Sequence, residues 1–141
     1  MVVIKPVTTG TELEAAIGIQ LNVFSGEQGI PEADCHEGNE DARHVLALDG
    51  EKPVATARLI CGEGELARVA VLPPHRKGGI GRELVLALEE IAVQERAHGI
   101  TLHPHRHLES IYESLGYFNA NDSVDVVGGH ELITMYKDIG S

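Results

Sequence analysis

The sequence predicts an α+β fold: a mixed, mostly antiparallel sheet flanked by helices, with a βαβ unit at its centre. Three observations predict it. Three strand-like runs follow one another across residues 44–72, the first two joined by the turn pair Asp49-Gly50. A strongly periodic helical segment covers residues 81–98. A short strand, residues 100–103, comes directly after it, so the third run, the helix and this strand form a right-handed crossover between parallel neighbours.

Taken in order, residues 2–7 read as a strand. Thr11 is the expected N-cap of a first helix, with Glu14 as its capping-box partner. Leu13, Ala16, Ile17, residues 19–21 and Phe24 give that helix a broad apolar face, and Gly18 weakens it by about 1 kcal/mol relative to Ala. Residues 25–41 read as a polar, acidic loop broken by Gly26, Gly29, Pro31 and Gly38. Strands at 44–48, 53–61 and 65–72 make an antiparallel meander that stops at Pro73-Pro74. In the helix over 81–98, Leu84, Ala87, Leu88, Ile91 and Ala92 recur every three or four residues, and Gly99 is its expected C-cap. Pro104 stops the strand at 100–103, Gly116 closes a second helix over 108–115, and 117–120 and 131–136 read as the last strands.

The chain has 141 residues, which suits a single domain over residues 1–141 with a core that needs no disulfide or structural metal. It is 43% hydrophobic and 23% charged, an ordinary globular composition. No stretch approaches the roughly 18 apolar residues of a membrane span, and the first ten residues lack the apolar length of a signal peptide. With 11 Lys and Arg against 22 Asp and Glu, the net charge of −11 repels phosphate backbones and excludes a general nucleic-acid binder. It suits a cationic substrate. Cys35 and Cys61 have neither metal nor redox spacing, so both are expected as reduced thiols in a cytoplasmic protein.

The chemistry concentrates in residues 69–84, Val-Ala-Val-Leu-Pro-Pro-His-Arg-Lys-Gly-Gly-Ile-Gly-Arg-Glu-Leu. A buried strand runs into a Gly-rich loop that opens a long helix. Gly78, Gly79 and Gly81 carry no Cβ, so a ligand can approach the backbone closely. Their N–H groups join the unpaired donors and positive dipole end of the helix, which makes an anion site suited to phosphate or pyrophosphate. Arg76 and Lys77 add cationic donors. The P-loop pattern fails because Arg82-Glu83 follows Gly81, and the dinucleotide fingerprint fails because Leu84 stands where a small residue is needed.

What fits is Arg-x-x-Gly-x-Gly, as Arg76, Gly79 and Gly81, directly after Val-x-Val-x-Pro. The sequence here resembles the GNAT superfamily of acetyl-CoA-dependent N-acetyltransferases. Residues 111–117, Ile-Tyr-Glu-Ser-Leu-Gly-Tyr, resemble the family's Tyr-Glu-x-x-Gly-Phe/Tyr element. Val23-Phe24 with Glu27-Gln28, Arg43-His44-Val45 and the strand over 53–59 resemble its small bacterial branch typified by YjcF and ElaA, and the match spans roughly residues 21–137.

The resemblance implies the acyl-CoA N-acyltransferase fold and acetyl transfer from acetyl-CoA to a primary amine, on a small molecule or a protein lysine, with no metal. It implies that the pyrophosphate sits on Arg76, Lys77, Gly78, Gly79, Ile80 and Gly81, and that the pantetheine arm runs along Val69, Ala70 and Val71. A backbone N–H, that of Val71, then polarises the thioester carbonyl. Tyr112 is implied as general acid, since a phenol can protonate or hydrogen-bond the departing thiolate. The base is not fixed by the resemblance. Glu27, Glu37, Asp41 and His44, in or beside the acidic segment, are the candidate acceptor contacts and bases. A domain that binds acyl-CoA without turnover is the alternative reading.

Two departures stand out. His105 occupies a position where the branch commonly has Gln, which alters contacts near the thioester. The branch ends with Pro-His-x-x-Met, but here His130 lies five residues before Met135. The alternation of His103, His105 and His107 invites a metal reading, but Pro104 and Arg106 speak against it, leaving a polar connection beside the cofactor groove. Family members of this size often form homodimers, and the alternating strand over 131–136 is the expected edge for one.

Overall fold

The computed structural model describes residues 2–36, 38–62, 64–76 and 78–140. Two predicted site residues, Glu37 and Lys77, lie outside the described residues. The elements are β1 (Val2–Pro6), α1 (Gly10–Gln20), α2 (Glu32–His36), β2 (Ala42–Asp49), β3 (Lys52–Ile60), β4 (Glu65–Val71), α3 (Ile80–Gln94), β5 (Gly99–Leu102), α4 (Glu109–Ser114), β6 (Phe118–Val127) and β7 (His130–Asp138). The strands form one sheet in the order β1-β2-β3-β4-β5-β7-β6. Among the described residues only β4 and β5 pair in parallel, through the α3 crossover; the other neighbours are antiparallel.

The predicted α+β architecture and βαβ unit are present, and each face of the sheet carries its own core. Ile80, Leu84, Val85, Leu88, Ile91 and Ala92 of α3 pack on one face against Val45, Ala47, Leu59, Leu66, Ile100, Ile133 and Met135. On the other face Ala16 and Ile19 of α1, with Val23, cover Leu46 and Ala70. The alternation of Val45, Leu46 and Ala47 between the two cores follows from the two-residue period of a strand.

Several local expectations shift. The N-cap of α1 is Thr9 rather than Thr11: Thr9 Oγ1 accepts from Glu12 N–H and Glu12 Oε1 accepts from Thr9 N–H, both at 3.1 Å. Glu12 also pairs with Lys5 of β1, and this contact, first among its causes, holds the Glu12 carboxyl down to about 2. Past Gln20 the chain does not become a loop at Ser25 but continues as a π-helical turn, Leu21–Glu27, and the supposed loop beyond it contains α2.

The helix α3 ends at Gln94, so Gly99 is not its C-cap. Gly99 opens β5, and a Cβ there would lie 2.0 Å from the Tyr136 hydroxyl, so the glycine serves a close strand contact. The strand over 131–136 does not supply a sheet edge either. β7 is flanked by β5 and β6, and the edge on that side is β6. β6 runs beyond the predicted 117–120 because pairing with β7 resumes over Val124 to Val127, after an irregularity between Asn119 and Val124. Asn119 Oδ1 accepts from the N–H groups of Asn121 and Asp122 there, a turn-like arrangement inside a strand.

Candidate active site

The site starts from a failure of strand pairing. Among the described residues β4 and β5 share one registered pair, Glu65 with Thr101, buttressed by the Thr101 N–H donating to the Gly64 carbonyl at 2.8 Å. Beyond it β4 bulges: Ala67 faces Arg58 and Ala70 faces Thr56, so two residues oppose one, and Arg68 adopts φ 55°. The strands therefore diverge, and Val69, Ala70 and Val71 border a cleft. Ala70 is buried against α1, while Val69 and Val71 pack toward the α3 core. The Leu72 N–H donates to Val54 at 2.9 Å, and the alternation of an antiparallel ladder turns the Val71 N–H to the opposite edge, facing the cleft.

At the end of β4 the chain makes a 3-10 turn, Pro73–His75, and reaches the glycines. Gly79 caps α3 with φ 77° and ψ 12°, a left-handed conformation suited to glycine, and no side chain among the described residues caps the helix. The first intrahelical bond runs from Glu83 N–H to Gly79 at 3.2 Å. The donors ahead of it face outward beside Gly78 and Gly79, both exposed. A Cβ at Gly79 would meet nothing within 4 Å among the described residues, which leaves space over the loop. The 15-residue α3 directs its dipole at that space.

Arg76 closes the loop onto the rest of the site. Its Nε–H donates to the Val71 carbonyl at 2.8 Å, and one terminal nitrogen lies 2.8 and 2.7 Å from the two carboxylate oxygens of Glu27. The structure thus joins a residue predicted to hold the cofactor to one predicted to meet the acceptor. Asp41 is exposed. His44 is 5% exposed, with Nε2 3.3 Å from the Asn39 carbonyl, and burial pushes its pKa down. It belongs to an internal network in which Asn39 donates to Gln20 at 3.0 Å and accepts from Arg58 at 2.9 Å. That network holds the His44 ring inside the protein.

Tyr112 lies on α4, half-buried against the α3-side core and edge-on to Tyr117, with ring centroids 6.0 Å apart. Desolvation raises its pKa, so the phenol stays protonated at neutral pH. Its hydroxyl has no hydrogen-bond partner among the described residues. The ring behind it is fixed: the Tyr117 hydroxyl donates to Glu89 of α3 at 2.9 Å, and Lys137 of β7 donates to Glu89 at 3.1 Å and to the Leu115 carbonyl at 2.9 Å.

His105 follows β5 and bridges to Leu132 of β7. Its ring centroid is 4.9 Å from His130 and 5.6 Å from His107. This trio was not legible as a group, because His130 is brought in only by the register of β7. Among the described residues no group of three or more His, Cys, Asp or Glu is arranged to hold a metal ion.

A family model described as an acetyltransferase (GNAT) domain matches residues 18–139. A Bacillus subtilis protein named as an acetyltransferase is 34% identical over 142 residues, covering 96% of this chain and 97% of its own. The Bacillus subtilis N-acetyltransferase YjcF is 32% identical over 130 residues, covering 90% of this chain and 93% of its own. Among solved structures, Escherichia coli ElaA superposes with a TM-score of 0.84 at 22% identity, covering 98% of this chain and 100% of its own. An aminoglycoside 6'-N-acetyltransferase complexed with coenzyme A superposes at 0.77 with 20% identity, covering 99% of this chain and 98% of its own. The cleft, the glycine loop and these matches agree, and the chain belongs to the GNAT family of acetyltransferases.

Proposed function

We propose that this acetyltransferase moves the acetyl group of acetyl-CoA directly to a primary amine, on a small molecule or a protein lysine, within a ternary complex. The observation that carries the reading is the splay of β4 from β5 leading onto an uncapped, glycine-lined helix N-terminus. The N–H groups from Gly79 to Gly81 receive the pyrophosphate, with Gly78 leaving room, and Arg76 supplies the positive charge. Lys77 is placed beside them by its position in the sequence. The pantetheine amides pair with the cleft edge of β4 at Val69 and Val71, while the buried Ala70 lends only backbone. The Val71 N–H polarises the thioester carbonyl, and Tyr112 protonates the leaving thiolate.

The acceptor is cationic before it reacts, and a chain of net charge −11 attracts cations. The two cysteines are free thiols, in keeping with a cytoplasmic setting. No helix among the described residues is long and apolar enough to cross a membrane. A homodimer built on a sheet edge uses β6, where Val124, Val126 and Val127 are exposed; sedimentation at micromolar concentration that returns a monomer contradicts it.

The test is a panel of primary amines with acetyl-CoA, following free thiol. Thiol release with one class of amine supports the reading. Tight acetyl-CoA binding with no release for any amine supports the non-catalytic module instead.

A further inference from the structure

We infer that His105, backed by His107 and His130, is the base that takes the proton from the acceptor amine. The inference rests on the acetyl-transfer reading above and assigns the role that reading leaves unfilled.

The placement comes from strand alternation. Ile100 and Leu102 of β5, and Ile133 and Met135 of β7, point into the core under α3. Residues of opposite parity on the same strands face the other side of the sheet. There His103 Nδ1 lies 3.2 Å from Thr134 Oγ1, which confirms a shared face for the two strands. His105, in register with Leu132, and His130 continue that face. α1 covers it over Leu46 and Ala70 of β2 and β4, and the segment that carries His105 follows the C-terminal end of β5, the strand that faces β4 across the cleft.

The two faces therefore divide the reaction. The glycine loop and Tyr112 belong to the α3 side, where the donor enters and the thiolate leaves. The acyl carbon is left open to the amine from the opposite side, and that side presents three imidazoles. His105, Arg106, His107, Gly129, His130 and Glu131 line an open depression of about 560 Å³ there, large enough for an amine-bearing chain.

The charges around His105 suit a base. Arg106 and His107 come from its own segment, and His130 and Glu131 from β7. Arg106 is paired with Glu131 at 3.0 Å, so its charge is partly offset. Partial burial, then the neighbouring His130 and His107, lower the His105 pKa below that of an ordinary imidazole. At pH 7 the ring is neutral and holds a lone pair ready for a proton.

The step balances. The ammonium nitrogen gives one proton to His105, and its freed lone pair forms the N–C bond to the acetyl carbon. The C–S bond breaks, and the sulfur takes a proton from Tyr112. The second proton lost by the nitrogen restores the phenol, and His105 passes its own to solvent.

The experiment measures kcat/KM between pH 5.5 and 9.5 for the amine found in the panel, with wild type and His105→Gln, alongside acetyl-CoA affinity by calorimetry. The wild-type profile should rise with pH along a limb with its midpoint below the ordinary imidazole value of about 6.5. His105→Gln should lose about a hundredfold or more at pH 7, keep its acetyl-CoA affinity, and shift the limb up toward the amine's own pKa. Replacing the neighbouring imidazole, His130→Gln in an otherwise wild-type chain, should raise the His105 titration midpoint read by imidazole ¹⁵N NMR. An unchanged pH limb in His105→Gln overturns the inference alone. No turnover of any amine by the wild type overturns it together with the reading it rests on.

Discussion

One terminal nitrogen of Arg76 lies 2.8 and 2.7 Å from the two oxygens of Glu27, joining the end of the π-helical turn to the glycine loop. Both partners are partly exposed, so the pair contributes little to stability, about 0–1 kcal/mol. Its consequence lies in binding. On the proposed reading, in which Arg76 meets the pyrophosphate, the Glu27 carboxylate competes for that guanidinium and repels the incoming anion.

Glu27→Gln should therefore leave the fold intact and tighten acetyl-CoA binding, by up to about fivefold, the equivalent of an exposed pair of about 1 kcal/mol. Calorimetry with wild type and variant at low salt checks this. Weaker binding by the variant would mean that Glu27 orients Arg76 for the phosphate rather than competing with it.

Tyr112→Phe keeps the ring against Tyr117 and removes only the hydroxyl. Turnover should fall on the order of a hundredfold with acetyl-CoA affinity nearly unchanged, because a general acid acts in the transition state. The sign of the pH effect follows from burial. Desolvation favours the neutral phenol and raises its pKa, so the wild-type high-pH limb should lie above the ordinary tyrosine value of about 10 and vanish in the variant. Wild-type turnover in the variant, with chemistry rate-limiting, would reduce Tyr112 to a packing residue.

Lys137→Met should destabilise the chain by about 2 kcal/mol in urea unfolding, since it strips one partner from the largely buried Glu89 carboxylate and from the Leu115 carbonyl. The same change loosens Tyr117, whose hydroxyl depends on Glu89 and whose ring packs on Tyr112. A loss of turnover larger than the loss of stability explains should accompany it. Unchanged stability would show the network to be solvated.

What could be read from the sequence was local. The strand, glycines and helix around Arg76 to Gly81 are consecutive, so their chemistry is written in one stretch. The crossover from β4 through α3 to β5 follows from periodicity alone. The rest depends on register. Arg76 and Glu27 are 49 residues apart, and nothing in either segment announces the other. His130 reaches His105 because β7 runs back along β5. The predicted strand over 117–120 continues to Val127 because Val124 to Val127 pair with β7, which the polar run from Asn121 to Asp125 does not announce. His44 looked available because it stands beside an acidic segment, but strand alternation and the Asn39 carbonyl bury it.

The central claim, that the glycine loop holds acetyl-CoA, is tested most directly by titrating acetyl-CoA into wild type, Gly79→Asp and Gly81→Asp by calorimetry. The substitutions should leave the free protein folded, which circular dichroism of each variant checks. Aspartate tolerates the left-handed backbone at Gly79 better than most residues, and at Gly81 it sits in the first turn of α3, where a negative charge is favoured, with its Cβ 4.0 Å from Val69. Each substitution adds a carboxylate to the loop proposed to hold the pyrophosphate, and a like-charge juxtaposition costs several kcal/mol. The account predicts wild-type binding and a loss of at least about a hundredfold in both variants. Wild-type affinity in both folded variants would contradict it.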